Sequence, residues 1–152
     1  MRIVLQRVLQ ASVDVDGKSI GQISNGLLLF VAIAKHDTEA DADELVEKIC
    51  KLRIFSAGGK SFMEQNIVQH QGSILIISQF TLYGTTKKGT RPDFALAASP
   101  VEANQLYEYL IRKFLENGIP TESGRFGQHM EVSLINDGPV TLIIDSTRNN
   151  II

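Results

Sequence analysis

From Arg2 to Leu9 the chain reads as a strand, and Ala11-Ser12-Val13-Asp14-Val15 alternates apolar and polar residues. A period of two lines one face of a strand with apolar side chains. Asp16-Gly17 is a good two-residue hairpin turn, which pairs Val15 with Lys18 and sets Val13 opposite Ile20. After Gly26, Leu27 to Ala34 is apolar throughout and predicts a central strand. Thr38-Glu39-Ala40-Asp41 predicts a helix start, with Thr38 as cap and acidic residues in the first turn. Leu45, Val46, Ile49 and Cys50 follow on one helical face, Cys50 as a small core residue rather than a nucleophile. Phe55 to Gln71 is polar and punctuated by glycine, and predicts loop with one short strand. Ile74-Leu75-Ile76-Ile77 is apolar on both faces, as in a strand covered on both sides. The strand is expected to run on through Tyr83, with Ser78, Phe80 and Leu82 on one face and Gln79, Thr81 and Tyr83 on the other.

The clearest local signal is Ser99-Pro100-Val101-Glu102: a capping serine, a proline at the first helical position and a glutamate to complete the box. Ala103, Leu106, Tyr107, Leu110 and Phe114 form one apolar stripe, which is packing rather than a site, and Gly118 ends the helix. Val132 to Ile135 and Val140 to Ile144 read as strands. Between them stands Asn136-Asp137-Gly138-Pro139, a turn, a bulge or an edge, because proline cannot donate to a ladder. With several strands joined directly, the pattern predicts an α+β fold: a largely antiparallel sheet or open barrel packed against two long helices, in a single domain over residues 1–152.

Composition narrows the class. A 43% hydrophobic and 21% charged content is that of a globular protein able to bury a core. No apolar run approaches the ~20 residues of a membrane helix, and Met1-Arg2-Ile3-Val4-Leu5-Gln6-Arg7 turns polar too soon for a signal peptide. A lone cysteine suits a reducing cytoplasm. No metal site is expected, since the His residues are scattered without ligand spacing. Neither Gly-rich nucleotide fingerprint is present, and no cofactor is expected. A net charge of −2 is unlike a protein that tracks a long nucleic-acid duplex.

Two segments carry candidate chemistry. Ser78, Gln79 and Thr81 close a buried strand and need hydrogen-bond partners, since an unpaired buried polar group costs ~1–3 kcal/mol. Neighbouring backbone satisfies that need as readily as a ligand does. Thr81 carries a hydroxyl but no base beside it in sequence, and an unactivated threonine is a poor nucleophile. Lys87, Lys88 and Arg91 form a basic loop, either a phosphate contact or plain solvated surface.

Ser78-Gln79-Phe80-Thr81-Leu82 and Asn136-Asp137-Gly138-Pro139-Val140-Thr141 together resemble the two hallmarks of the D-aminoacyl-tRNA deacylase family. The likeness continues through Gln6-Arg7-Val8, Ala11-Ser12-Val13, Leu52-Arg53-Ile54-Phe55, Lys88-Gly89-Thr90-Arg91-Pro92 and Gly124-Arg125-Phe126-Gly127, in order over essentially the whole chain. The resemblance implies a homodimer that hydrolyses the ester of D-aminoacyl-tRNA, and of glycyl-tRNA, at the 3′ acceptor end. It further implies that the Gly138–Pro139 bond is cis and enters the partner subunit's pocket, with backbone carbonyls toward the substrate amino group. The terminal adenosine is implied to lie against Phe80, the backbone of Phe80 and Thr81 to act on the ester, and Ser78, Gln79 and Met130 to line the pocket. Attack assisted by the terminal ribose 2′-hydroxyl is implied as well. Lys87, Lys88 and Arg91 are expected to meet tRNA phosphates. Gln128-His129 departs from the small residue usual after the Phe-Gly pair, and His129 is read either as altering the pocket wall or, in preference, as a surface histidine. Two other readings stay open: a hydrolase of small D-amino-acid derivatives with a threonine nucleophile, and an RNA-binding module without catalysis.

Overall fold

The computed structural model describes residues 1–58, 63–87 and 89–146. The chain runs β1 (Arg2–Val15), β2 (Lys18–Ile23), β3 (Gly26–Ala32), α1 (Glu39–Lys51), α2 (Ile67–His70), β4 (Ser73–Ser78), a 3-10 turn (Phe80–Tyr83), α3 (Pro100–Glu116), β5 (Thr121–Ser123) and β6 (Glu131–Asp145). The sheet is organised along β1. One edge of that strand pairs with β3 over Arg2–Val8 and then with β2 over Ala11–Val15; β6 follows its other edge nearly end to end.

Those pairings are antiparallel, but β3–β4 and β4–β5 are parallel, so the sheet is mixed: antiparallel along β1 and parallel across β3, β4 and β5. The cause is the connections: α1 lies between β3 and β4, and α3 between β4 and β5. A helical crossover returns the chain to the end where it started, which makes the next strand parallel.

Local signals explain most element ends. Asp16 (φ 51°) and Gly17 (φ 70°) both take positive φ, as a two-residue hairpin turn requires. The Val15–Lys18 pair forms as expected, but a bulge after Val13 sets that residue opposite Gly21 instead of Ile20. A Cβ on Gly21 would stand 3.2 Å from the Ser123 carbonyl oxygen and 3.3 Å from Leu75. Glycine there lets β2 bend over to β5, and the two ends of the strand path approach closure. Thr38 caps α1 through its N–H and Oγ1, both donating to Asp41 (2.9 and 2.7 Å). Ser99 and Glu102 cap α3 reciprocally, with Pro100 at its start and Gly118 (φ 76°) beyond its end. Among the described residues of 55–71, the expected short strand is a lone Phe55–Gln65 bridge. The helical turn α2 takes the rest, because Asn66 and Gln69 cap each other's backbone.

The main core lies between sheet and helices, where Leu5, Leu29, Ile74 and Ile76 meet Leu45, Ile49, Leu110 and Phe114. Cys50 is half-buried against it, and burial pushes its thiol above the ordinary range. A second cluster covers the opposite face, with Val13, Leu28, Leu75 and Ile77 against Met130, Val132 and Leu134. β3 and β4 are therefore apolar on both faces because both are covered.

Candidate active site

The site forms where β4 leaves the sheet. Ser78 is its last paired residue, opposite Val31, and the Gln79 N–H still donates to the Val31 carbonyl at 2.7 Å. Since β3 ends at Ala32, no ladder remains for the next residues. They turn into the 3-10 helix, where Leu82 N–H reaches the Gln79 carbonyl (3.2 Å) and Gly84 N–H the Thr81 carbonyl (2.9 Å). The strand expected through Tyr83 thus stops at Ser78, and the alternation assigned to Ser78, Phe80 and Leu82 does not hold. Tyr83 is buried, whereas Phe80 is 57% exposed. The opening N–H groups of a helix have no partner within it. Here those are Phe80 and Thr81, and among the described residues neither meets a backbone acceptor. The Gln79 Nε2 donates to Thr81 Oγ1.

Beside this turn lies a cleft of about 470 Å³. Val31, Ile33 and Ile77 make its floor, the segment from Ala97 to Ala103 one wall, and Phe126 to Val132 the other. Ser78, Gln79, Phe80 and Met130 come together on it. Thr81, next to Phe80, is exposed and is not part of the lining. His129 is exposed, as a surface residue is, and also lines the wall.

Several supports were not legible as functional. A Cβ on Gly124 would stand 2.5 Å from Met130 Sδ and 3.0 Å from Ile77 Cδ1, so glycine is what lets Met130 sit inward. Tyr107 Oη donates to the Ile76 carbonyl (2.7 Å), which also accepts from Gly124 N–H (3.0 Å). That junction ties α3, β4 and the residues after β5 together behind the cleft, and burial drives the Tyr107 phenol far above its usual range. Its only sequence signal was a place in the helix stripe. Phe94 meets Phe80 edge-on, with ring centroids 5.1 Å apart. Gly84 leaves room for it, since a Cβ there would lie 2.8 Å from the Phe94 ring.

The second motif is a bulge inside one continuous strand, not a turn between two. β1 and β6 pair at Gln6–Thr141 and at Val8–Asn136, so Asp137 to Val140 are looped out against Arg7 alone. The Gly138–Pro139 bond is cis and Gly138 takes φ 118°, a region that favours glycine. Asn136 fastens the loop: its Oδ1 accepts from Val140 N–H (3.1 Å), and its Nδ2 donates to Thr141 Oγ1 (3.1 Å). Arg7, only 7% exposed at its side chain, pairs with Asp137 (Nε to Oδ2, 2.9 Å) and donates to the Ile54 carbonyl. A Cβ on Gly138 would stand 2.8 Å from Arg7 Nη2. Gly138 and Pro139 are exposed and line no part of their own chain's cleft.

The basic loop springs from the 3-10 turn, closed by paired hydrogen bonds between Thr85 and Asp93 (2.8 and 2.9 Å). Lys87 and Arg91 are exposed on it and line no part of the cleft. Lys88 lies outside the described residues.

Residues 4–145 match the family model described as D-Tyr-tRNA(Tyr) deacylase. The chain is 50% identical to a D-aminoacyl-tRNA deacylase of Thermosipho melanesiensis over 97% of this chain and 99% of that one. It is 51% identical to one of Bacillus cytotoxicus over 96% and 99% respectively. Among solved structures, it is similar to a c-Myc DNA unwinding element binding protein, at 35% identity and TM-score 0.90, covering 96% of this chain and 99% of that one. A structure titled as a probable eukaryotic D-amino acid tRNA deacylase shares the fold at 19% identity and TM-score 0.83, over 95% and 98%.

Proposed function

The chain belongs to the D-Tyr-tRNA(Tyr) deacylase family, and from that premise we propose that it hydrolyses the ester of D-aminoacyl-tRNA, and of glycyl-tRNA, at the cleft beside Phe80. The observation that carries the proposal is the convergence of Ser78 at the end of β4, Gln79 and Phe80 where the 3-10 turn begins, and Met130 from a distant loop, on one cavity of about 470 Å³. The terminal adenosine rests against the exposed ring of Phe80, and the aminoacyl group enters the cleft. As water adds to the ester carbon, negative charge gathers on the carbonyl oxygen. The N–H groups of Phe80 and Thr81 receive that charge; donors already in place spare the cost of reorganisation. Collapse of the adduct breaks the bond to the ribose 3′-oxygen, which takes a proton, and releases free amino acid and tRNA. The ribose 2′-hydroxyl assists the attack. Thr81 Oγ1 already accepts from Gln79, and this suits a positioning role better than a nucleophilic one.

Chiral selection is assigned to Gly138 and Pro139 of a second subunit in a homodimer, their carbonyls holding the substrate amino group where an L side chain does not fit. A pocket that rejects L side chains by shape has no means of rejecting glycine. Support comes from the bulge, which is exposed and lines no part of its own cleft. Leu9 and Ile135, about half exposed beside it, offer an apolar surface for a second copy. Lys87, Lys88 and Arg91 are assigned to the acceptor-end phosphates. The test is incubation with D-tyrosyl-tRNA, L-tyrosyl-tRNA, glycyl-tRNA and a free D-tyrosine ester, with sedimentation in parallel. Cleavage of the D- and glycyl-tRNA alone, by a dimer, is expected. Cleavage of the free ester at a similar rate favours a small-molecule hydrolase, and no cleavage at all favours a binding module. A fully active monomer would sink the cross-subunit arrangement.

A further inference from the structure

The cleft has a polar imbalance that the proposed chemistry does not use. Of the described residues lining it, His129 alone bears an ionisable side chain; the remainder are apolar, glycine, proline, serine or glutamine. The Gln128 N–H donates to the Arg125 carbonyl (3.2 Å) and Gly127 takes φ 73°, so the chain turns just before His129. The next residue, Met130, sits inward against Gly124 and Ile77. Consecutive residues thus divide the wall, with half-buried Met130 toward its depth and exposed His129 toward its mouth.

An aminoacyl-tRNA 3′ end brings charges of both signs to such a cleft. The ammonium travels with the amino acid, whereas the phosphate joining the last two nucleotides must stay at the mouth, because the RNA continues into solvent. That phosphate needs hydrogen-bond donors. The floor of Val31, Ile33 and Ile77 offers no side-chain donor, and neither does the wall of Ala97, Ala98, Pro100 and Ala103. The other charged groups on the flanking segments are Arg125 and Glu131, on either side of the His129 turn, Glu102 in the first turn of α3, already hydrogen-bonded to Ser99 (2.8 Å), and Lys87 and Arg91 on the basic loop, which line no part of the cleft and are left for phosphates further along the acceptor end. Imidazole has an N–H to donate in either protonation state.

We propose that His129 is a substrate-positioning residue whose imidazole N–H hydrogen-bonds the phosphate 5′ to the terminal adenosine. The assignment rests on the deacylase reading and deepens it. It separates what holds the nucleotide at the mouth from what acts on the ester further in.

The experiment compares 3′-O-(D-tyrosyl)adenosine with the same ester carrying a 5′-phosphate, and with D-tyrosyl-tRNA. Wild type, His129→Ala and His129→Lys are assayed on each. For the two phosphate-bearing substrates, His129→Ala should raise KM about fivefold, the worth of one net hydrogen bond, with kcat within about twofold. His129→Lys should restore KM, and the unphosphorylated ester should not distinguish the variants. Equal KM changes with and without the phosphate, a fall in kcat on both, or no change on any substrate would each overturn the assignment while leaving the deacylase reading intact. Failure of the wild type on every ester would overturn both.

Discussion

Replacing Arg7 by methionine tests whether the looped segment of β6 is held from beneath. Methionine keeps much of the length and apolar stem of arginine but removes every donor. Two losses follow. The Ile54 carbonyl, in a residue 3% exposed, loses the Arg7 donor, and an unsatisfied buried acceptor costs about 1–3 kcal/mol. Asp137 loses its ion pair at 2.9 Å. Breaking a fully buried pair costs about 3–5 kcal/mol, but Asp137 is 39% exposed and water can take over much of its solvation. The pair is therefore closer to the roughly 0–1 kcal/mol of surface bridges. The sum is about 1–4 kcal/mol, or a fall in Tm of about 2–16 °C for a chain of this size. Urea and thermal unfolding of Arg7→Met measure it directly. Asp137→Asn in the same chain should recover part of the loss, because no carboxylate is then left without its cation. A loss below about 0.5 kcal/mol in Arg7→Met, or strict additivity in the double variant, would refute the claim that Arg7 holds the bulge.

The remaining predictions address pH, the hydroxyl and the loop. Burial raises the Tyr83 and Tyr107 phenols above the ordinary value of 10.0, Tyr83 with further help from Asp37 and Asp145. The folded state therefore holds these protons more tightly than the unfolded chain. Stability should be full below about pH 10 and fall as the pH rises beyond it; in Tyr83→Phe/Tyr107→Phe the slope of Tm against pH over that alkaline range should be visibly shallower. Thr81→Ala should keep measurable hydrolysis of D-aminoacyl-tRNA with no acyl-enzyme in the wild type; an aminoacyl adduct on Thr81 in the mass spectrum would reverse its role. Lys87→Ala/Arg91→Ala should raise KM for charged tRNA and flatten its salt dependence with kcat nearly unchanged. Identical kinetics at every salt concentration would return the loop to ordinary solvated surface.

Where a feature depended on short-range chemistry, the sequence alone determined it. Ser99, Pro100 and Glu102 placed the start of α3 because capping satisfies donors within one turn. Asp16-Gly17 placed the first hairpin because positive φ is cheap at those residue types. The run from Leu27 to Ala34 announced a central strand, which ends at Ala32, and Ile74–Ile77 announced a strand covered on both faces, which the structure covers on both. Gly138-Pro139 announced an interruption for the same local reason: a missing N–H.

What needed the tertiary structure was set by distant partners. Whether β4 ran on past Ser78 depended on the length of β3 beside it, and β3 stops at Ala32. The parallel sense of β3, β4 and β5 depended on two helical crossovers. Asn136 to Pro139 became a bulge rather than a turn because β1 continues across the gap, with Arg7 inserted beneath it. Tyr107, read as one residue of an apolar stripe, acquired its place behind the cleft only when α3 set its hydroxyl on the Ile76 carbonyl. His129 carries no periodic or capping signal, and its position on the cleft wall follows from the turn at Gly127 and the space that Gly124 leaves for Met130. Periodicity and capping report the few residues on either side. A cleft assembled from β3, β4, α3 and the loop before β6 depends on contacts far apart in the chain, which neither signal encodes.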